Sequence, residues 1–128
     1  MKKILIITMM LLLLGCNKEV KEENKNENIK ITAQNITNEN MTIIIENNTE
    51  EDIMIKPEFK IEQYQNNEWI ELNQNKNCSN KLGYGIEKNN MQDIEIDWKC
   101  EYGTLNQGHY RLIKYLENDE YIKVEFEI

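Results

Sequence analysis

The chain has 128 residues and is acidic, with 23 Asp and Glu against 15 Lys and Arg and a net charge of −8. That balance repels phosphate backbones, so no nucleic-acid partner is expected. A single histidine, His109, and no Cys-x-x-Cys spacing exclude ordinary zinc sites, and nothing in the chain calls for a metal or another cofactor.

Lys2 and Lys3 precede an apolar run, Ile4 to Leu14, that ends in Gly15 and Cys16. A membrane-spanning helix needs about 20 apolar residues, and this run is roughly half that before polar sequence begins. A basic start, a short apolar stretch and a small residue at the cut are the marks of a secretory leader. Leu13-Leu14-Gly15-Cys16 resembles the lipobox of bacterial lipoproteins, in which the cysteine becomes the lipidated first residue. The resemblance implies a leader over residues 1–15, a fatty acyl group such as palmitate on Cys16, and attachment to the bacterial cell membrane, facing away from the cytoplasm. An ordinary cleaved leader has no reason to place a cysteine directly after Gly15. Several acyl chains on one cysteine hold a protein stably where one chain is marginal. Loss of Lys2 and Lys3 with the leader takes the mature net charge to about −10.

The stretch from Asn17 to Asn28 reads NKEVKEENKNEN, with Val20 its only apolar residue. Such a segment buries too little surface to offset its ordering entropy, so residues 16–29 are expected to form a flexible tether of about 20 Å. From Ile29 onward the hydrophobic period becomes two, and the folded domain is placed at residues 30–128. Met41 to Ile45 is a β-branched run suited to a buried strand. Pro57 can end an edge or mark a turn. Phe59–Tyr64 and Glu68–Leu72 flank Asn66-Asn67, a pair able to take positive φ, which predicts a hairpin. Asn73 to Asn90 reads as a long polar connection, either a recognition loop or merely a mobile link.

Asp93-Ile94-Glu95-Ile96-Asp97-Trp98 alternates strictly, with carboxylates on one face and Ile94, Ile96 and Trp98 on the other. The acidic row reads as a solvated face opposite a lysine-bearing strand, since it lacks the geometry of a calcium loop. Tyr110 to Leu116 is apolar on both faces, as a central strand would be. In the last strand Ile122, Val124, Phe126 and Ile128 face inward while Lys123, Glu125 and Glu127 face water. No window carries a helical period. Seven or eight short strands predict an all-β antiparallel sandwich.

If Cys16 takes the anchor, Cys78 and Cys100 remain as an even pair, which in an exported domain favours a disulfide worth about 3 kcal/mol. The alternative is two free thiols that only pack. Leu105-Asn106-Gln107-Gly108-His109-Tyr110 has the form of a tyrosine corner, in which Leu enters the core, Gly turns and the Tyr hydroxyl bonds back to the chain. With Trp98, Tyr102, Gly103 and Arg111, this segment resembles the immunoglobulin-like domains of bacterial lipoproteins, where W-x-x-x-Y-G-x-L runs into P-G-x-Y-R. Gln107 stands where that pattern has proline. The resemblance covers residues 30–128, includes the Asn47-Asn48-Thr49 turn and Trp69, and implies a fold but no activity. Trp69 and Trp98 read as packing residues, and Tyr110 and Arg111 as staples of the corner.

Catalysis is not expected. A serine triad would need Ser79, the only serine, together with His109, and no nucleophile motif surrounds it. A Cys100–His109 pair fails if the disulfide forms, and Gly83-Tyr84-Gly85 is too short to cradle phosphate. The four Asn-x-Ser/Thr sequons at Asn35, Asn40, Asn47 and Asn77 are what chance delivers in so Asn-rich a chain. The reading is a membrane-held binding or structural module of the cell envelope with an unknown envelope or protein partner. Two other expectations, an inhibitor of extracytoplasmic proteases and a subunit of a larger envelope assembly, rest on fold analogy and localisation alone.

Overall fold

The computed structural model describes residues 27–78 and 82–128. The leader, Cys16, most of the tether and Ser79 lie outside the described residues. Among the described residues eight strands follow one another as β1 (Ile29–Gln34), β2 (Asn40–Asn47), β3 (Ile53–Gln65), β4 (Glu68–Glu71), β5 (Tyr84–Ile86), β6 (Asn90–Asp97), β7 (His109–Leu116) and β8 (Tyr121–Glu127). A single helical turn, α1 (Lys99–Tyr102), joins β6 to β7. All strand pairs are antiparallel and form a three-stranded sheet, β1-β2-β6, facing a five-stranded sheet, β4-β3-β7-β8, with β5 also on β3. The sandwich is as expected. A turn of four residues is too short to leave a helical period in the sequence, which is why α1 was not foreseen.

Period-two alternation builds the interior. On β2, Met41, Ile43, Ile45 and Asn47 are buried in turn. They meet Ile55, Phe59, Ile61, Leu112 and Leu116 from the facing sheet, with Ile94, Ile96, Ile122 and Phe126 closing the same cluster. β1 opens at Ile29, inside the expected tether, because that side chain is buried in the core. The β3–β4 hairpin turns on Asn66 and Asn67 at φ 50° and 64°, the left-handed geometry that matches strand twist.

Three local expectations are corrected. Pro57 neither ends a strand nor makes a turn: β3 runs through it, at a bulge between Ile55 and Phe59 where a missing N–H breaks no ladder. The span from Asn73 to Asn90 is not all loop, because Tyr84–Ile86 pairs with Ile53–Ile55. Three residues containing Gly85 carry almost no strand signal. Gly83 lies so close to the Ile55 carbonyl that a Cβ would sit 2.8 Å from it, so this strand can only be entered through a glycine. Asp93, Glu95 and Asp97 do not face lysines; their partners on β2 are Ile44, Thr42 and Asn40. β6 is an edge strand, where water screens the row and like charges discourage pairing with another chain.

β7 is central, between β3 and β8, but Lys114 interrupts its apolar inward side. That side chain is 2% exposed and its ammonium donates to the Pro57 carbonyl at 3.0 Å, a group that the bulge frees. The ammonium also lies 5.9 Å from the centroid of the Phe59 ring. A buried cation survives because it is met by hydrogen bonding at the same point.

Asn47 is the other buried polar group with a structural task. Its Nδ2 donates to the carbonyls of Glu51 and Ile86 at 2.9 and 3.0 Å, and its Oδ1 accepts from the Thr49 amide and hydroxyl at 3.0 and 2.6 Å. One side chain therefore ties the end of β2 to its turn and to β5. Asn47→Ala should cost about 2 kcal/mol by leaving these groups unmatched, read as a lower denaturant midpoint. An unchanged midpoint would contradict this role.

Candidate functional site

The corner residues are structural by position. Trp98 is fully buried, and its indole N–H donates to the Asn38 carbonyl at 3.0 Å. The amide of Leu105, also buried, bonds to the same carbonyl at 2.9 Å. The Tyr110 hydroxyl donates to the Asn106 carbonyl at 2.8 Å, while its ring stacks on Phe126 at 5.6 Å. A Cβ on Gly108 would meet the end of the Gln63 side chain at 2.9 Å and the Tyr110 ring at 3.2 Å, so a larger residue here would displace that amide and crowd the ring. Gly103 takes φ 69° to end α1. The Tyr102 hydroxyl accepts the Ile61 amide at 3.2 Å.

Cys78 and Cys100 are joined as a disulfide with Cα atoms 5.9 Å apart. The bridge holds the segment after β4 against α1, where the Asn75 amide also bonds to the Glu101 carbonyl at 2.8 Å. It removes Cys100 from any nucleophilic pair with His109. Beside it lies a cleft of about 310 Å³ bounded by Pro57, Phe59, Cys78, Glu101 and Tyr115.

Arg111 does not belong to the corner. Because Tyr110 points inward, its neighbours His109 and Arg111 point out from the five-stranded sheet. Pairing with β3 sets Arg111 opposite Glu62, and pairing with β8 sets it opposite Glu125. Arg111 Nε and Nη2 both reach Glu62 Oε2, at 3.0 and 2.6 Å, with the two side chains only 12% and 15% exposed. Partial burial makes this charge-assisted pair stronger than a surface ion pair. The guanidinium also lies 4.4 Å from the Trp69 ring centroid, a cation–π contact.

The hairpin places Tyr64 directly across from Trp69, with centroids 5.1 Å apart and planes tilted by 56°. His109 completes the group, edge-on to Tyr64 at 6.2 Å and 5.5 Å from Trp69. Its Nε2 and Nδ1 lie 3.4 Å from Glu125 and Glu127 respectively, ion pairs when the imidazole is protonated. The three rings and Arg111, together with Asn67, Lys123 and Glu125, line an open hollow of about 520 Å³. Packing arguments from sequence missed this cluster. The signal that could have found it is parity: Tyr64, Trp69, His109 and Arg111 all occupy the polar side of their strands.

Residues 22–127 match the family described as bacterial Ig-like domain. The chain belongs to that family. The bacterial Ig-like domain thus spans nearly all of the described residues. No curated protein matches the chain. Among solved structures it is similar to the archaellum periplasmic stator protein FlaG from Sulfolobus acidocaldarius, at 14% identity and a TM-score of 0.49, over 77% of this chain and 99% of that one. Among the described residues, no helix of this Ig-like domain is long and apolar enough to cross a membrane, and no cluster of metal-binding side chains occurs.

Two measurements test these assignments. Removing the Arg111 guanidinium should uncover the Trp69 indole, so Arg111→Ala should raise acrylamide quenching while the buried Trp98 stays protected. Unaltered quenching would separate the two residues. Burial raises the Tyr102 phenol above its ordinary value, despite the opposing effect of the Ile61 amide, and burial raises Tyr110 as well. The folded chain then keeps protons that the unfolded chain releases, so this stabilisation is present below about pH 10 and stability falls as pH rises above it. Tyr102→Phe should flatten that alkaline decline in denaturation curves; an identical decline would remove Tyr102 as its source.

Proposed function

We propose that this chain is a lipid-anchored, non-catalytic Ig-like module outside the bacterial cytoplasm, presenting the outer face of its five-stranded sheet to a partner in the envelope. The observation that carries this reading is the cluster of Trp69, Tyr64, His109 and Arg111 on that face. Trp, Tyr and Arg are enriched in recognition hot spots: Trp and Tyr offer large contact area with few rotatable bonds, and Arg offers a planar fork of donors that also stacks on rings.

The Leu13-Leu14-Gly15-Cys16 motif and the polar stretch after it support anchoring through Cys16. The disulfide suits an oxidising compartment, in keeping with export. Absence of catalysis is supported by the engagement of Cys100 in that bridge and by the placement of His109 between two carboxylates and two aromatic rings.

Cys16→Ser should move the protein from the membrane fraction to the soluble exported fraction; retention on the membrane would refute the anchor. A diazirine amino acid in place of Tyr64 should form adducts with an envelope component in intact cells. The same group in place of Glu95, on the opposite sheet, should not. Adducts from position 95 with none from position 64 would reverse the choice of face.

A further inference from the structure

The hollow bounded by Tyr64, Trp69, Asn67, Lys123 and Glu125 has a chemistry of its own. Its two rings are tilted by 56° and so form angled walls instead of a closed stack. Tyr64 is 42% exposed, while Trp69 is held in place by Arg111, which is held in turn by Glu62. An aromatic wall fixed in this way loses little freedom when something docks on it. Around the rings stand an amide that donates and accepts (Asn67), a carboxylate that accepts (Glu125) and an ammonium that donates (Lys123).

We propose that this hollow binds a neutral oligosaccharide of pyranose units, an inference that rests on the outer-face reading above. A pyranose presents an apolar C–H side, which packs on ring faces, and a rim of hydroxyls, which need both donors and acceptors. The hollow supplies both kinds of surface in one place, and its volume of about 520 Å³ is that of a small-ligand site. Competing ligand classes fit less well. Glu62, Glu125 and Glu127 offset Arg111 and Lys123, so the cluster holds no surplus positive charge to draw a phosphate or another anion. The Trp69 ring already carries the Arg111 guanidinium, which repels a second cation. An acyl chain would strip water from Lys123 and Glu125 without replacing it.

The test uses the full chain in detergent micelles, titrated by calorimetry with cellohexaose, chitohexaose and maltoheptaose. At least one should bind saturably below roughly 10 mM, with a change in tryptophan emission arising from Trp69, since Trp98 is fully buried. Tyr64→Ala and Trp69→Ala should each weaken binding by about tenfold. Glu95→Ala, on the opposite sheet, should leave it unchanged. If Trp69→Ala does not fold, Tyr64→Ala carries the comparison alone, because that ring is exposed. No saturable binding of any of the three, or binding indifferent to Tyr64→Ala, overturns the saccharide assignment. Envelope adducts from position 64 alongside either result would leave the outer-face reading standing. Adducts from position 95 alone would remove that reading itself.

Discussion

The structure depends on an aromatic contact between Trp98, Phe126 and Tyr110, made where the chain crosses from one sheet to the other. Phe126 lies 5.5 Å from Trp98 and 5.6 Å from Tyr110. Two polar tips in this apolar knot reach backbone carbonyls, of Asn38 and Asn106, so no buried donor is left over there. The contact also sets parity. Once Tyr110 points inward, strand alternation sends His109 and Arg111 outward, and the neighbouring strands deliver Glu62, Glu125 and Glu127 to meet them. A shift of one residue at the corner would bury the arginine and expose the core.

Recognition and stability therefore share a strand without sharing side chains. The inward row of β7 holds the sandwich together, and its outward row builds the candidate site. The hairpin adds the remaining pieces, because the left-handed turn at Asn66 and Asn67 aligns Tyr64 with Trp69. Arg111 links the two halves by bonding to β3 while stacking on β4. Such a cluster is supported on strands, which position side chains more firmly than loops do.

The disulfide serves a different part of the edge. β4 and β5 pair with β3 at separate places, Glu62–Gln65 and Ile53–Ile55, and among the described residues no strand covers the stretch between them. There the Tyr102 hydroxyl takes the Ile61 amide, and the Cys78–Cys100 bridge keeps the nearby segment on α1. An edge left bare would offer itself to another chain. Cysteine parity pointed to this pair, but the purpose of the pairing is visible only from the gap it lies beside.

The strands with strict alternation, β6 and β8, and the hairpin were legible in the residues, because a period of two and an Asn-Asn turn are local properties. The inward set Ile94, Ile96, Trp98, Ile122 and Phe126 follows from them. The same local reading failed at β5, where three residues carry no period, and at Lys114, whose burial depends on a carbonyl from a bulge 57 positions away. It also assigned Arg111 to the corner, since chain proximity to Tyr110 was all it could see. Residue alternation, charge and cysteine parity thus determined a sandwich of short strands and which faces of them are apolar. Only the packing of β3, β4, β7 and β8 side by side decided that four polar-side residues distant in the chain form one surface, because register between strands is a long-range property that no single segment contains.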